Sequence, residues 1–582
     1  MKMKIGRFIL IILLVLPAFV FAQNKKAGRD TTAVVAKARP MTQMDSLMVK
    51  QLFFSALSEK TIENYTLAAD LFTRVLQTDN NNDAALYELA NIYKSKENYT
   101  GAAPLLERAV TLSPDNEWYW LALAECYEKN NDIAKLENVF DELIRIDPDK
   151  PDYYFDKANT YYLEKKYDDA LKMYDLLQEM TGLDDDILAG RQKIYLIQGK
   201  VDQAAAEIKQ MIAANPTEVR YYLLLGEIYN SNGLTDKALK ALQDAEKIDS
   251  NNGQLHLALA DIYRDKKNND ACFNELKLAF AIPDLDIDQK IKIILGYLPK
   301  FPDPNAKASA LVLSQILITA HPDDSKAYAM YGDMLSQNDK YKDAETAYRK
   351  SLELNNGHYE VYEQLVRIEL GEGEIDAAIK DGESALALFP NQAWMNYLVG
   401  IACLQKKDYT KGISYVKNAI AMETDDKDLL SLSYSALGDS YHEQKDFKGS
   451  DDAYDKALSY NPDNAFALNN YAYYLSLRNE ALDKAAQMAA HANELQPNTA
   501  SFEDTYAWIL FKQKKYADAK VWIEKAILHD KSNSAVQVEH YGDIMFYLGD
   551  TNAAVQNWKK AKSFGQQSPV LDRKINERKY VE

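Results

Sequence analysis

Apolar and small side chains recur along the chain at helical spacing, in paired stretches that are separated by polar turns. In one clean example they fall at i, i+3, i+4 and i+7 and share one helical face: Leu86, Leu89, Ala90 and Tyr93. After the polar turn SKENYT the spacing recurs on a second stretch, at Ala102, Leu106 and Ala109. Small residues allow close approach and larger ones fill the space beside them. The pattern therefore predicts two closely packed helices joined by a short turn.

This helix pair is one unit of a repeat of about 34 residues that runs from roughly Ser46 to Gly565. The unit Asp83–Asn116 aligns with Leu430–Asn464 when their closing prolines, Pro114 and Pro462, are superposed. A tyrosine recurs at the turn before the second helix, as Tyr65, Tyr99, Tyr167, Tyr341, Tyr409 and Tyr516. An alanine recurs at the helix contact, as Ala68, Ala102, Ala170, Ala204, Ala238, Ala344, Ala378 and Ala519. Each unit leaves an apolar face that needs a neighbour, so we expect a solenoid of about 14 or 15 copies.

The recurring large residues, small residues and closing Pro resemble the tetratricopeptide repeat, abbreviated TPR. The resemblance covers nearly all of the chain beyond its N-terminal segment. It implies an all-α fold, a right-handed superhelical solenoid of helix–turn–helix repeats. An Asp or Asn beside each closing Pro is expected to cap the next helix. The candidate caps lie in five segments, SPDN at 113–116, DPDK at 147–150, NPTE at 215–218, HPDD at 321–324 and NPDN at 461–464.

The repeat pattern also divides the chain. We predict a signal peptide at 1–22, a flexible linker at 23–45, an N-terminal TPR arm at 46–282, an irregular repeat at 283–324, a C-terminal TPR arm at 325–567 and a capping helix at 568–582. The irregular repeat loses the consensus where four prolines cluster, at 283, 299, 302 and 304, and a kink there is expected to separate the arms. Near Asn479–Leu482 one extra residue is expected to lengthen a turn.

The N-terminus has the pattern of a secretory signal. Lys2, Lys4 and Arg7 precede a short apolar core at 8–16, and small residues before Gln23 suit cleavage. The alternative is an uncleaved N-terminal anchor. Export to a bacterial periplasm or outer envelope is therefore expected, with no integral membrane span once the signal is removed, since the apolar stretch is short for a span.

The net charge of the chain limits the classes of partner that it can bind. Lys and Arg number 68 and Asp and Glu 87, which gives a net charge of −19. This sign argues against nucleic acid and anionic membranes, which require basic patches. The acids serve either as solvated faces that keep a large apolar solenoid soluble, or as an acidic groove for basic ligands.

No catalytic or metal-binding pattern is evident, so we expect no enzyme activity, no cofactor and no metal. His442 and Glu443 begin a zinc-protease-like motif, but the second His is missing. The cysteines, Cys126, Cys272 and Cys403, lie about four repeats apart. Since a disulfide requires Cα atoms within about 7 Å, we expect them to be small core residues instead.

The TPR resemblance implies that the first helix of each pair lines a concave groove where proteins or peptides bind. The second, fifth, ninth and twelfth positions of that helix share one face and should point into it. The candidate groove residues are Tyr87, Asn91, Trp118, Phe155, Asn159, Tyr162, Trp394, Tyr397, Tyr473, Trp508 and Phe511. The alternative is that these rings pack against the next repeat. Trp120 and Trp558 fall in core register and are excluded.

The sequence favours a non-enzymatic scaffold of the cell envelope that binds protein or peptide segments and aids assembly or export. The lysine of the TPR clamp for C-terminal carboxylates is absent, because Tyr87 and Phe155 stand at its position beside Asn91 and Asn159. An accessory to polysaccharide export is the alternative of the same class. A glycan-binding receptor or enzyme that uses groove aromatics as stacking platforms is the alternative from a different class.

Overall fold

The computed structural model describes residues 41–182 and 184–582, and every regular element in these ranges is a helix. The predicted signal peptide and most of the predicted linker lie outside them. The chain forms two compact units that divide between Glu207 and Ile208. Each unit is a succession of helix pairs, so the all-α prediction is confirmed.

The helices of the first unit are α1 (Gln43–Thr61), α2 (Tyr65–Thr78), α3 (Asp83–Ser95), α4 (Tyr99–Leu112), α5 (Glu117–Lys129), α6 (Ile133–Ile146), α7 (Pro151–Leu163), α8 (Tyr167–Thr181), α9 (Asp185–Ile197) and the first half of α10 (Val201–Ala214). From α3 to α9 the first helices begin at 83, 117, 151 and 185, which is the predicted repeat length. α2 packs on α3, α4 on α5 and α6 on α7, so each pair covers the apolar face of the one before it.

The second unit continues with α11 (Val219–Ser231), α12 (Thr235–Glu246), α13 (Gly253–Asp265), α14 (Asn269–Ala281), α15 (Ile287–Leu295), α16 (Pro304–Ala320), α17 (Ser325–Gln337), α18 (Tyr341–Leu354), α19 (Tyr359–Gly371) and α20 (Ile375–Leu388). Its remaining helices are α21 (Ala393–Gln405), α22 (Tyr409–Met422), α23 (Lys427–Glu443), α24 (Phe447–Tyr460), α25 (Ala465–Arg478), α26 (Leu482–Leu495), α27 (Ala500–Lys512), α28 (Tyr516–His529), α29 (Ala535–Tyr547), α30 (Thr551–Ser563) and α31 (Pro569–Glu577).

Small residues set the spacing inside each pair. The recurring alanines of the second helices are fully buried, as expected: Ala68, Ala102, Ala170, Ala204, Ala238, Ala344, Ala378 and Ala519. Trp120 and Trp558 are buried too, as their register predicted. In α17 a Cβ at Gly332 would lie 2.5 Å from the Tyr348 ring, so only glycine lets α18 approach so closely.

The turns between pairs cap some helices but not all of those predicted. The Asn116, Asp324 and Asn464 side chains each accept a backbone N–H at the start of the following helix. Lys150 and Glu218 occupy the same place without a side-chain hydrogen bond to the helix. The capping prediction is therefore wrong at these two positions, where Lys carries no acceptor and the longer Glu side chain makes no such bond.

The irregular repeat consists of the short α15, a 3-10 turn at Leu298–Lys300 and the long α16. One hydrophobic cluster runs through it, from Leu257 of α13 to Met334 of α17. Lys290 of α15 is fully buried there, and its ammonium donates to the Ile282 carbonyl oxygen at 2.6 Å and to Nε2 of His321 at 2.7 Å. Burial lowers the pKa of Lys290 to about 8.

The extra residue near 479–482 lies in a helix and not in the turn. α25 has 14 residues where α3 has 13, and both are followed by three residues before the next helix. The predicted longer turn is therefore wrong, because one more hydrogen-bonded helical residue absorbs the insertion. The turn itself bends through Asn479 and Ala481, which both have positive φ.

Candidate functional site

The candidate residues lie on first helices, where neighbouring first helices contact one another. We call this surface the first-helix face, defined by the second, fifth, ninth and twelfth positions of α3, α5, α7 and their counterparts. On α3, Tyr87 is half-buried, and its ring lies 4.9 Å from that of Tyr119 on α5. Lys94 of α3 pairs with Glu125 of α5 at 2.5 Å. Asn91 is half-buried between Tyr87 and Lys94 in this register.

Trp118 is the most exposed candidate, with 66% of its surface accessible. It stands at the start of α5, where its backbone N–H donates to the cap residue Asn116 at 3.1 Å. Its ring lines a surface recess together with Pro114 and Ile146. A large exposed aromatic ring beside a surface recess of mixed polar and apolar lining has the chemistry of an interface anchor.

On α7 the candidates are tied to the helices around them. Phe155 meets Tyr174 of α8 edge-on with ring centroids 6.1 Å apart, and the Tyr174 hydroxyl donates to Oδ1 of Asn159 at 3.2 Å. The Lys193 ammonium of α9 lies 4.7 Å from the centre of the Tyr162 ring. The three candidates, Phe155, Asn159 and Tyr162, remain half-buried.

In the second unit, Trp394 of α21 joins three successive first helices. The Arg367 guanidinium of α19 stacks over its ring at 4.7 Å, and its indole N–H donates to Asp426, the cap of α23, at 3.2 Å. Tyr397 packs edge-on against Trp394 at 5.8 Å. Burial raises the pKa of Tyr397 to about 12, so its hydroxyl stays protonated.

Sequence models of the tetratricopeptide repeat match residues 56–117, 94–154, 193–253, 325–358 and 432–464. This chain is a tetratricopeptide repeat protein. The TPR fold suggests a protein–protein interaction scaffold, and the contacts between first helices describe its candidate binding surface.

Its relatives share the repeat at low identity. A TPR repeat-containing protein of Methanocaldococcus jannaschii is 22% identical over 400 residues, 63% of this chain and 67% of that protein. A TPR repeat-containing protein of Pseudomonas aeruginosa is 26% identical over 159 residues, 27% of this chain, and the match spans 26% of that relative's length. The crystal structure of a tetratricopeptide repeat protein from Parabacteroides merdae has 16% identity and a TM-score of 0.35, covering 44% of this chain and 98% of that one.

The structure of this TPR protein adds three acidic residues that sequence reasoning missed. Asp333, Asp439 and Asp543 follow Gly332, Gly438 and Gly542 and share the register of Asn91 and Asn159. Each accepts a hydrogen bond from an aromatic side chain of the second helix, from Tyr348 at 2.7 Å, Tyr454 at 2.5 Å and Trp558 at 2.8 Å. Burial raises the pKa of all three carboxyls. The recurring Gly-Asp dipeptide was the available signal.

Asp439 is the centre of a polar cluster on α23 and α25. The Tyr474 hydroxyl donates to it at 3.0 Å and the Asn470 amide at 3.4 Å. The His442 ring stacks on that of Tyr474 with centroids 3.6 Å apart. Tyr473, a predicted site residue, is half-buried beside Tyr474 at 6.0 Å.

Trp508 and Phe511 of α27 are buried, with 8% and 5% of their surface exposed, so the expectation that they face an open groove is wrong. The His540 ring of α29 stacks on Trp508 at 4.0 Å, and Tyr580 packs against Phe511 at 5.7 Å. Burial alone would lower the pKa of His540, but the Asp504 carboxylate, 2.8 Å from its Nδ1, raises it above the ordinary value.

Within the described ranges, the one cluster with metal-ligand chemistry is Glu246, His256 and Glu275. Both ring nitrogens of His256 already have partners, Nδ1 with Glu275 Oε2 at 2.8 Å and Nε2 with the Ser250 carbonyl oxygen at 3.0 Å. A metal would have to displace these hydrogen bonds. Among residues 41–182 and 184–582, no helix is both long and apolar enough to cross a membrane.

Proposed function

We propose that this TPR protein is a non-enzymatic scaffold of the bacterial cell envelope that binds protein or peptide segments along its first-helix face. The observation that carries the proposal is the arrangement around Trp394. One aromatic side chain there is held by charged groups from the helices on both sides, Arg367 and Asp426. Aromatic rings positioned by such contacts lose little conformational freedom on binding, which favours their use as anchors.

The charge distribution supports a peptide ligand over a nucleic acid. The chain carries a net charge of −19. Such a charge attracts segments that carry lysine or arginine and repels polyanions. Export rests on the N-terminal signal pattern, and the role in envelope assembly or export remains part of the proposal.

The test is in vivo crosslinking of the tagged full chain, followed by purification from the envelope fraction and mass spectrometry. We expect a small set of envelope proteins with the wild-type chain, and loss of that set with the Trp394→Ala variant and with Trp118→Ala. Tyr341→Ala is the matched control, because Tyr341 is an exposed aromatic residue at the start of a second helix. The same set from all variants, or a purely glycan ligand, contradicts the proposal.

A further inference from the structure

The segment 568–582 contacts the first-helix face of the last two helix pairs, on α27 and α29, through Lys574, Tyr580 and Glu582. Within it, α31 packs on the second helix α30 through Leu571, which is fully buried in a cluster with Trp558 and Val555. Residues 578–582 follow without helical structure and return to α27. The part of the segment from Lys574 onward therefore reaches the surface where the TPR register places ligand contacts.

Lys574 makes the first contact of this segment with the first-helix face. Its side chain is buried, and Nζ lies 2.9 Å from Glu539 Oε1 and 2.7 Å from Asp543 Oδ2, both on α29. Glu539 stands at the helix position of Tyr87, and Asp543 at that of Asn91. A lysine from outside the repeats is thus paired with two carboxylates of the candidate site.

Tyr580 supplies the second contact. Its ring lies 5.7 Å from Phe511 of α27 and 5.2 Å from Tyr547 of α29, and Tyr516 completes this aromatic pocket at 4.8 Å from Tyr547. Two residues further on, Glu582 pairs with Lys512 of α27 at 3.2 Å. The Tyr580 ring and the Glu582 carboxylate together cover Phe511 and Lys512 on α27.

The segment does not satisfy every polar group beneath it. The indole Nε1 of Trp508 is buried and has no hydrogen-bond partner in the part of the chain that the structure describes. Lys512, the partner of Glu582, also lies 5.0 Å from the centre of the Trp508 ring. A buried N–H without an acceptor is costly, and a backbone carbonyl from another peptide would satisfy it.

We propose that segment 568–582 is a built-in, displaceable occupant of the peptide-binding surface, and that the surface beneath it binds a partner segment of the same chemistry. Such a partner carries a basic side chain for Glu539 and Asp543 and an aromatic side chain for the Phe511–Tyr547 pocket. It gains the Trp508 hydrogen bond that the segment leaves unmade. This inference rests on the proposed peptide-binding function and adds the partner's chemistry and a competing intramolecular ligand.

The test uses a fluorescent peptide with the sequence of residues 568–582 and the full-length chain. In the open variant, Lys574→Ala with Tyr580→Ala, we expect the peptide to bind at least tenfold more tightly than to the wild type, by anisotropy. Lys579→Ala is the matched control, because Lys579 is exposed and pairs with Glu577 of the same segment, and it should behave as wild type. A peptide with the same two alanines should lose binding. Equal binding to the open and wild-type chains, or binding to neither, overturns the inference.

Hydrogen exchange on the wild-type chain tests the same point without any substitution. Excess peptide should accelerate exchange of the amides of α31 and leave α29 protected. If α31 stays as protected as α29 at saturating peptide, the segment is a fixed cap and the inference is wrong. If α31 stays protected but envelope partners are captured through Trp394, only this inference is overturned. Peptide binding without any captured envelope protein contradicts only the proposed scaffold.

Discussion

Individual side chains of the first-helix face are held by the next repeat as much as by their own. Trp394 contacts Arg367 and Asp426, and Tyr162 contacts Lys193, in each case on a neighbouring first helix. A substitution at such a position therefore alters two interfaces at once. Contacting residues couple energetically, so double substitutions there should not be additive.

Gly332→Ala tests the close approach of α17 and α18. The added Cβ would meet the Tyr348 ring at 2.5 Å and disturb its hydrogen bond to Asp333, so we expect a loss of about 1–3 kcal/mol. Hydrogen exchange of the α17 and α18 amides measures this locally. Gly371→Ala is the control, since a Cβ there has open space. Equal protection in both variants would show that the packing is loose.

Lys290→Met tests the buried lysine of the irregular repeat. The folded pKa of about 8 lies below the unfolded value near 10.4, so charging Lys290 at pH 7 opposes folding. The wild type should gain stability as pH rises from about 8 towards 10, while the Met variant lacks this term. We therefore expect the variant to be more stable at pH 7 by about 1–4 kcal/mol, with the difference shrinking by pH 10. A difference that is constant with pH in denaturation curves would contradict a depressed pKa.

The same helix–turn–helix unit recurs along the chain, and the sequence predicts the positions of its helices well. The period placed the first helices at 83, 117 and 151 because apolar spacing and small contact residues recur in every copy. The repeat period could not predict that α25 takes up the extra residue near 479–482, since a longer helix and a longer turn both keep the following repeat in register. It also missed the cover over Phe511, because Tyr580 lies far away in sequence and outside the repeat.

In most helix pairs the turn has a left-handed residue two positions after the first helix ends. Lys407 holds it at φ 66° and Gly373 at φ 78°. Because a side chain in this conformation costs about 1–2 kcal/mol, Gly373→Ala should destabilise α19 and α20 by about that amount. Gly371→Ala, two residues earlier and without positive φ, is the control. No change in the exchange rates of α19 and α20 would show that the turn relaxes freely.

At the scale of the whole molecule, successive pairs bury each other's apolar faces, so stability is a sum of local terms between neighbours. The candidate surface is correspondingly distributed, with aromatic anchors in both units and a covered stretch at α27 and α29. The predictable part of the site is its register. The exposure of each ring had to come from the structure, because Trp118 and Trp508 share that register and differ from 66% to 8% in exposure.

The proposed function requires that partners bind on the first-helix face. The most direct measurement is photocrosslinking in the envelope with an unnatural amino acid placed in turn at Trp118, Trp394 and Tyr397, and at the exposed second-helix positions Lys417 and Lys456. We expect crosslinks to the same envelope proteins from the three first-helix positions and none from the two lysine positions. Crosslinks mainly from Lys417 and Lys456 would contradict the proposed function and place the interaction on the opposite helices.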